Sequence, residues 1–132
     1  MAYSALVAPD LSPEMVTAGE NLLRTLDSAA VEVTAALWLL QPGESGWRLV
    51  ISAPDIASTG PHAFYQKIDH ALRKLGGTPL SMSLVSALPQ TDPLLTLLRV
   101  ALRTGPGISR IRFTENVVNG VLIPDALVYR LL

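Results

Sequence analysis

Apolar residues recur at the three- and four-residue spacing of an amphipathic helix in three segments of the chain. The first of these helices is predicted to follow Ser12, because serine is a good N-cap residue and Pro13 suits the first helical position. Glu14 brings to the first turn the negative charge that a helix N-terminus favours. The apolar positions that define this helix are Met15, Ala18, Leu22 and Leu26.

The second predicted helix covers about residues 61–75, where an apolar stripe lies opposite a stripe of polar and charged residues. The glycine pair at 76–77 ends it. The third predicted helix begins like the first, with Asp92 as N-cap and Pro93 at the first helical position, and Gly105 ends it.

Segments rich in β-branched and aromatic residues predict the strands. Residues 31–40 and 47–53 flank a turn-forming segment and indicate a hairpin, and residues 80–88 alternate in a way typical of a central strand. The remainder, 108–132, indicates two or three further strands. Within it, Asn119-Gly120 is a strong signal for a two-residue hairpin turn.

This order of elements predicts an α/β (α+β) protein with a single mixed β-sheet of five to six strands and three helices, in the order α-β-β-α-β-α-β-β-(β). No repeat or linker interrupts the pattern, so residues 1–132 are expected to form a single domain. Two successive strand–helix–strand connections run from the second to the fourth strand. Such connections are typical of parallel strands, so we expect these three strands to run in the same direction.

In parallel sheets, ligands bind outside the carboxyl ends of the strands, where helix N-termini present free amides. The predicted topology brings three loops to this edge. The polar residues of these loops are Asp55, Ser58, Thr59, His62, Gln90, Thr91, Asp92, Glu115 and Asn116. Helix capping and turn formation are the simpler interpretation of each of them.

His62 is the member of this set that capping explains least well. A helix N-terminus disfavours the imidazolium, so a neutral ring that accepts a proton or binds a metal is expected there. His70 lies about 12 Å farther along the helix, too far for the two histidines to share one ion. We expect no zinc site and no cofactor, and an oxygen-ligated magnesium site of Asp55, Asp92 and Glu115 is the remaining alternative.

Composition adds information about the surface. Hydrophobic residues make up 49% of the chain and charged residues 16%, against about 25% charged in a typical domain. Part of the apolar excess is therefore expected to be buried against another chain, most simply a second copy. The absence of cysteine fits a cytoplasmic location, and no apolar stretch approaches the ~18 residues of a membrane span, so no membrane contact is expected.

The charges are unevenly distributed along the chain. The last quarter carries a set of arginines, namely Arg99, Arg103, Arg110, Arg112 and Arg130. This set can contact an anionic partner, or it can face the acidic N-terminal third within the fold or across a dimer. Nucleic acid is not an expected partner, because the net charge of −1 lacks the basic excess of such binders.

The C-terminal strand over residues 125–132 has two possible places. At a sheet edge it can pair with its copy in a second subunit, whereas inside one sheet it closes that sheet. Either way, strand alternation predicts that Tyr129 and Arg130 point to opposite faces.

No complete catalytic motif is present. The GESG tetrapeptide at 43–46 is one residue short of a nucleophile elbow, and the chain has neither a dinucleotide fingerprint nor a phosphate-binding loop. The favoured hypothesis is a non-enzymatic protein that acts through protein–protein contacts as a homodimer. The alternative is a small-ligand-binding protein or an enzyme that uses the strand-end loops, through Ser58, Thr59, His62, Asp92 and Glu115. A third hypothesis is binding of an anionic polymer by the arginine set.

Overall fold

The computed structural model describes residues 11–40, 46–114, 116–123 and 125–132, with the backbone alone at 116, 122 and 123. Within these ranges the α-helices are α1 (Pro13–Ser28), α2 (Asp55–Thr59), α3 (Pro61–Leu75) and α4 (Pro93–Ala101). The strands are β1 (Ala35–Leu40), β2 (Trp47–Ser52), β3 (Val85–Ala87), β4 (Ile111–Phe113), β5 (Asn116–Val118), β6 (Val121–Ile123) and β7 (Ala126–Leu131).

Five of these strands form one mixed sheet, in the order β3-β2-β1-β7-β4, and β5 and β6 form a separate hairpin. β1 lies at the centre and runs antiparallel to both of its neighbours, while β3 runs parallel to β2. The predicted mixed α and β class, the single mixed sheet and the three longer helices are confirmed. The five-residue α2 is an addition that the sequence pattern did not predict.

Helices cover both faces of the sheet. Trp38 and Tyr129 belong to a core cluster that α1 and α3 complete on one face. Leu37 and Val128 belong to a second cluster, which α4 and the β5–β6 hairpin complete on the other face. Because both faces are covered, β1 carries buried residues at successive positions rather than alternating ones.

The predicted helix starts are confirmed. The Ser12 hydroxyl accepts a hydrogen bond from the Met15 amide at 3.2 Å, and the Asp92 carboxylate accepts one from the Leu94 amide at 2.9 Å. These bonds satisfy amides that have no partner within the helix. The predicted Asn119-Gly120 turn joins β5 to β6, and its φ angles of 50° and 79° fit a type I′ hairpin turn.

The expectation that the fourth strand is parallel to the second and third is wrong. β3 is parallel to β2, as predicted, but β4 pairs antiparallel with β7 at the opposite edge of the sheet. β7 is buried at all six positions and so occupies an interior place, whereas the partly exposed β4 suits an edge. The connection through α4 therefore crosses the sheet instead of returning beside β3.

Tyr129 and Arg130 lie on the same face of the sheet, contrary to the expectation from strand alternation. The register between β1 and β7 shifts by one residue at this point, which is a β-bulge. The bulge turns both side chains towards α1, where the Tyr129 hydroxyl donates to the Val16 carbonyl and Arg130 pairs with Asp27. β7 is also the closing strand inside one sheet, since it pairs with β1 on one side and β4 on the other.

The strand predicted over residues 80–88 is much shorter in the structure. A 3₁₀ turn covers Met82–Leu84, and only Val85–Ala87 pairs with β2. The Arg48 guanidinium donates to the carbonyls of Ser83 at 3.1 Å and Val85 at 3.3 Å. A side chain from the neighbouring strand thus satisfies backbone groups that a longer strand would have paired.

Candidate functional site

The carboxyl ends of three strands lie at the same end of the sheet, but these strands are not the three that the sequence predicted. β2, β3 and β7 run in the same direction, so the loops after β2 and β3 lie at the same edge as the end of β7. Arg99 joins two of these parts, because its guanidinium donates to the backbone oxygen of Leu132 at 2.7 Å and to the Gln90 carbonyl at 2.9 Å. Arg99 therefore links the loop after β3 to the residue that follows β7.

The predicted residues in the loop after β2 are engaged in local contacts. The hydroxyls of Ser58 and Thr59 donate to the Asp55 carbonyl, at 3.3 and 2.8 Å. The Asp55 carboxylate forms an ion pair with Lys67 of α3. The two hydroxyl bonds lie within α2, and the ion pair joins α2 to α3, so all three contacts have a structural role.

The predicted residues at the starts of α3 and α4 are either engaged in structural contacts or exposed to solvent. Asp92 caps α4, and the Gln90 carbonyl accepts from Arg99. Thr91 and His62 are exposed, His62 in the first turn of α3. The loops thus provide helix caps and crosslinks together with two solvent-facing side chains.

Glu115 and Asn116 do not join this set. β4 runs opposite to β2 and β3, so its carboxyl end lies at the other edge of the sheet, where Phe113 pairs with Ala126. Asn116 opens the β5–β6 hairpin, and Glu115 lies outside the described residues. Within the described ranges, no group of three or more histidine, aspartate or glutamate side chains has the geometry to hold a metal ion.

The arginine set forms separate structural contacts. Arg110 pairs with Glu20 of α1, and Arg112 pairs with Asp125. The Arg112 guanidinium also lies 5.2 Å from the ring centroid of Trp47, within cation–π range. Arg103 is exposed.

Arg130 is the most deeply buried of these arginines, with 6% of its side chain exposed. It binds the Asp27 carboxylate through two nitrogens, at 2.9 and 2.8 Å, and donates to the Val33 carbonyl at 3.1 Å and the Gly107 carbonyl at 3.3 Å. A buried guanidinium needs such partners, because its desolvation is otherwise uncompensated. Arg130 therefore ties the end of α1 to β7.

Two pKa shifts accompany the contacts between α1 and the sheet. The hydrogen bond from Arg110, with a second from Arg24, holds the pKa of Glu20 below its usual value of 4.5. Burial raises the pKa of Tyr129 to about 12, although a hydrogen bond from Trp38 acts in the opposite direction. Both groups keep their ordinary charge states at neutral pH, as expected for structural contacts.

A cavity of about 480 Å³ lies between α3 and the last turn of α1. It is lined by small apolar residues, Ala29, Ala30, Val31, Ala63 and Ala71, and by polar residues, Thr25, Gln66, Lys67, His70 and Lys74. The sequence pattern did not predict this site. The missed signal is that two alanines, Ala29 and Ala30, follow the end of α1, and their small side chains leave space beside the polar stripe of α3.

The outer surface of α4 and the hairpin is the second feature that the sequence analysis did not locate. Among the described residues, the large hydrophobic side chains that remain exposed are Val100 (61%), Val117 (62%) and Val121 (49%). All three belong to α4 or the β5–β6 hairpin, and α4 contacts β5. Because Val121 pairs with the buried Val118, Val117 and Val121 point to opposite sides of the hairpin. We call the outer surface of α4 and the hairpin, which includes Val100 and Val117, the α4–hairpin face.

No family model, curated protein or solved structure matches this chain. In the part of the chain that the structure describes, no helix combines the length and the apolar character needed to cross a bilayer.

Proposed function

We propose that this protein acts through protein–protein contacts, as a homodimer that associates through the α4–hairpin face. The observation that carries the proposal is that the two most exposed of these valines, Val100 and Val117, belong to α4 and β5, which contact each other. Scattered apolar residues are normal on any surface, but a concentration of them in one region is typical of an interaction site.

The distribution of charge supports a second copy as the partner. In a symmetric dimer both copies contribute the same face, so a face with a net charge meets a face of the same net charge. α4 contains a single charged residue, Arg99, whose guanidinium is held by Leu132 and Gln90, and residues 116–123 contain none. Self-association through this face therefore meets little electrostatic opposition.

The opposite side of the protein has a different character. The outer surfaces of α1 and α3 carry charged side chains, among them Arg24, Lys67, Arg73 and Lys74. Such a surface remains hydrated more readily than the α4–hairpin face. This contrast supports the choice of face.

Sedimentation analysis of the purified chain at micromolar concentrations tests the proposal. The wild-type chain is expected at twice the mass of one chain, and Val100→Lys and Val117→Lys are each expected to weaken association by about tenfold or more, because they place a charge in an apolar interface. Thr17→Lys adds the same charge at an exposed position on α1 and is the matched control. A wild-type chain that remains monomeric, or a control that dissociates as readily as the two valine variants, would refute the proposal.

A further inference from the structure

We propose that the cavity between α1 and α3 binds a small organic anion, a carboxylate or phosphate attached to an apolar body. The cavity lies on the face of the sheet opposite α4 and the hairpin, so this inference is independent of the proposed dimer. It assigns to the protein a ligand site in addition to an interaction surface.

The dimensions of the cavity fit a small molecule. Its volume of about 480 Å³ lies within the range of roughly 300–1,000 Å³ that is typical of ligand pockets. Such pockets combine an apolar lining with a few polar groups that orient the ligand. Here the alanines and Val31 provide the lining, and the polar groups come from successive turns of α3.

The polar groups around the cavity indicate the charge of the ligand. Lys67, His70 and Lys74 lie at three- and four-residue intervals on α3 and therefore share one side of that helix. Among the residues that the structure describes, no aspartate or glutamate lines the cavity. The Lys67 ammonium is partly neutralised by Asp55, which leaves Lys74 as the principal cation for a ligand anion.

A second, smaller cavity lies next to the first and is also lined by cationic side chains. It measures about 320 Å³, is lined by Arg24, Ser28 and Leu75, and shares Thr25 and Lys74 with the first. Lys74 thus lines both spaces, the first together with the alanines and the second together with Arg24. An anionic group beside Lys74 can direct an apolar body into the larger cavity.

Sodium octanoate, used below its micelle concentration, is a suitable probe because it joins one carboxylate to an apolar chain. Titration of the isotope-labelled chain, followed by amide chemical shifts, is expected to perturb Ala29, Ala63 and Ala71. Octylammonium has the same apolar chain with the opposite charge and is expected to bind at least about tenfold more weakly. Equal affinity for the two probes, or shifts confined to α4 and the hairpin, would overturn the assignment.

Matched variants test the roles of the cation and the cavity. Lys74→Gln is expected to weaken octanoate binding about three- to tenfold, because it removes a charge-assisted contact. Arg73→Gln removes the same charge from the next position, where the side chain is 80% exposed and does not line the cavity, so binding is expected to be unchanged.

The variant Ala63→Leu fills the cavity without changing charge and is expected to abolish binding while the wild-type spectrum is otherwise retained. Undiminished binding in this variant, or an equal loss in Arg73→Gln and Lys74→Gln, would refute the proposed site. Measuring the dimer mass of each variant separates this result from the dimer proposal, because substitutions on α3 are expected to leave association through the α4–hairpin face unchanged.

Discussion

The Tyr129 hydroxyl accepts a hydrogen bond from Trp38 Nε1 at 3.0 Å, beneath α1. It also donates to the Val16 carbonyl in that helix. Two strands and a helix are thus joined through one phenolic oxygen, in a part of the core where both rings are fully buried. Water cannot replace these bonds when one partner is lost.

We therefore expect Tyr129→Phe to lower the free energy of unfolding by about 1–3 kcal/mol, because it leaves the buried Trp38 N–H without an acceptor. Chemical denaturation measures this change. Tyr65→Phe is the control: its hydroxyl accepts from the Ala87 amide at 2.8 Å at a partly exposed position, where water can take its place, so a smaller loss is expected. An equal loss of unfolding free energy in the two variants would contradict the expectation that the buried hydrogen bond from Trp38 contributes more than a partly exposed one.

The same hydroxyl predicts sensitivity to alkaline pH. Burial raises the pKa of Tyr129 from 10 to about 12, so the folded state favours the protonated phenol more strongly than the unfolded state does. Its contribution to stability is present below pH 10 and is lost as the pH rises towards 12. Denaturation midpoints of the wild-type chain are expected to fall more steeply over this interval than those of Tyr129→Phe, and parallel curves would contradict the assignment.

Gly19 allows α1 to approach this pair. A Cβ atom at position 19 would lie 2.5 Å from Tyr129 Oη and 2.8 Å from Trp38 Nε1, closer than packed atoms tolerate. Gly19→Ala is therefore expected to destabilise the protein by about 1–3 kcal/mol, although alanine favours the helix by about 1 kcal/mol. In the Tyr129→Phe background the closest contact is gone, so the additional cost of Gly19→Ala should be smaller; an unchanged cost would mean that the clash lies elsewhere.

Ala30 occupies a position that glycine suits better. α1 ends in a Schellman motif, in which the Val31 amide donates to Leu26 and the Ala30 amide to Asp27, and Ala30 has φ of 60°. Ala30→Gly relieves the left-handed strain and is expected to stabilise the protein by about 0.5–1 kcal/mol. Ala29→Gly is the control, because Ala29 has φ of −86° and no left-handed strain to relieve. Glycine there only increases the backbone entropy that is lost on folding, so this variant is expected to be destabilised by a similar amount. Thermal denaturation measures both changes.

Glu20 links acid stability to the contact between α1 and the segment before β4. Its pKa is lowered by hydrogen bonds from Arg110 and Arg24, so its contribution is present above pH 4.5 and is lost as the pH falls through the lower folded-state pKa. Arg110→Gln is expected to raise the Glu20 pKa towards 4.5 and to cost less than about 1 kcal/mol at neutral pH. A titration of the Glu20 carboxyl resonance checks this, with Arg24→Gln as the control that should raise the pKa less.

The local elements were predictable because their determinants lie close together in the sequence. Ser12 with Pro13, Asp92 with Pro93, and Asn119 with Gly120 each act on the backbone within a few residues, and each marks the element that it was expected to mark. The class of the fold followed from the order of these elements. The predicted strand bounds were less accurate at residues 80–88, where the guanidinium of the distant Arg48 binds backbone carbonyls.

The partners of the charged residues were not predictable in the same way. Arg110 and Glu20 are 90 positions apart, and Arg130 and Asp27 are 103 apart, so no local pattern connects them. The distribution of charge along the chain predicted, as one of two alternatives, that the arginines face the acidic N-terminal third. The contacts of Arg110 and Arg130 with α1 realise that alternative, residue by residue.

The sequence by itself determined the three longer helices, the hairpins and the mixed α and β class, because capping, turn formation and amphipathic spacing act over short distances along the chain. Only the tertiary structure decided which strands are neighbours, since a helix between two strands does not specify whether the second returns beside the first or crosses to the far edge. The burial of β7 on both faces placed it between β1 and β4 and left β4 antiparallel at the border. That choice separated the predicted loops, and the packing of α1 against α3 created a cavity for which no single segment carries a signal.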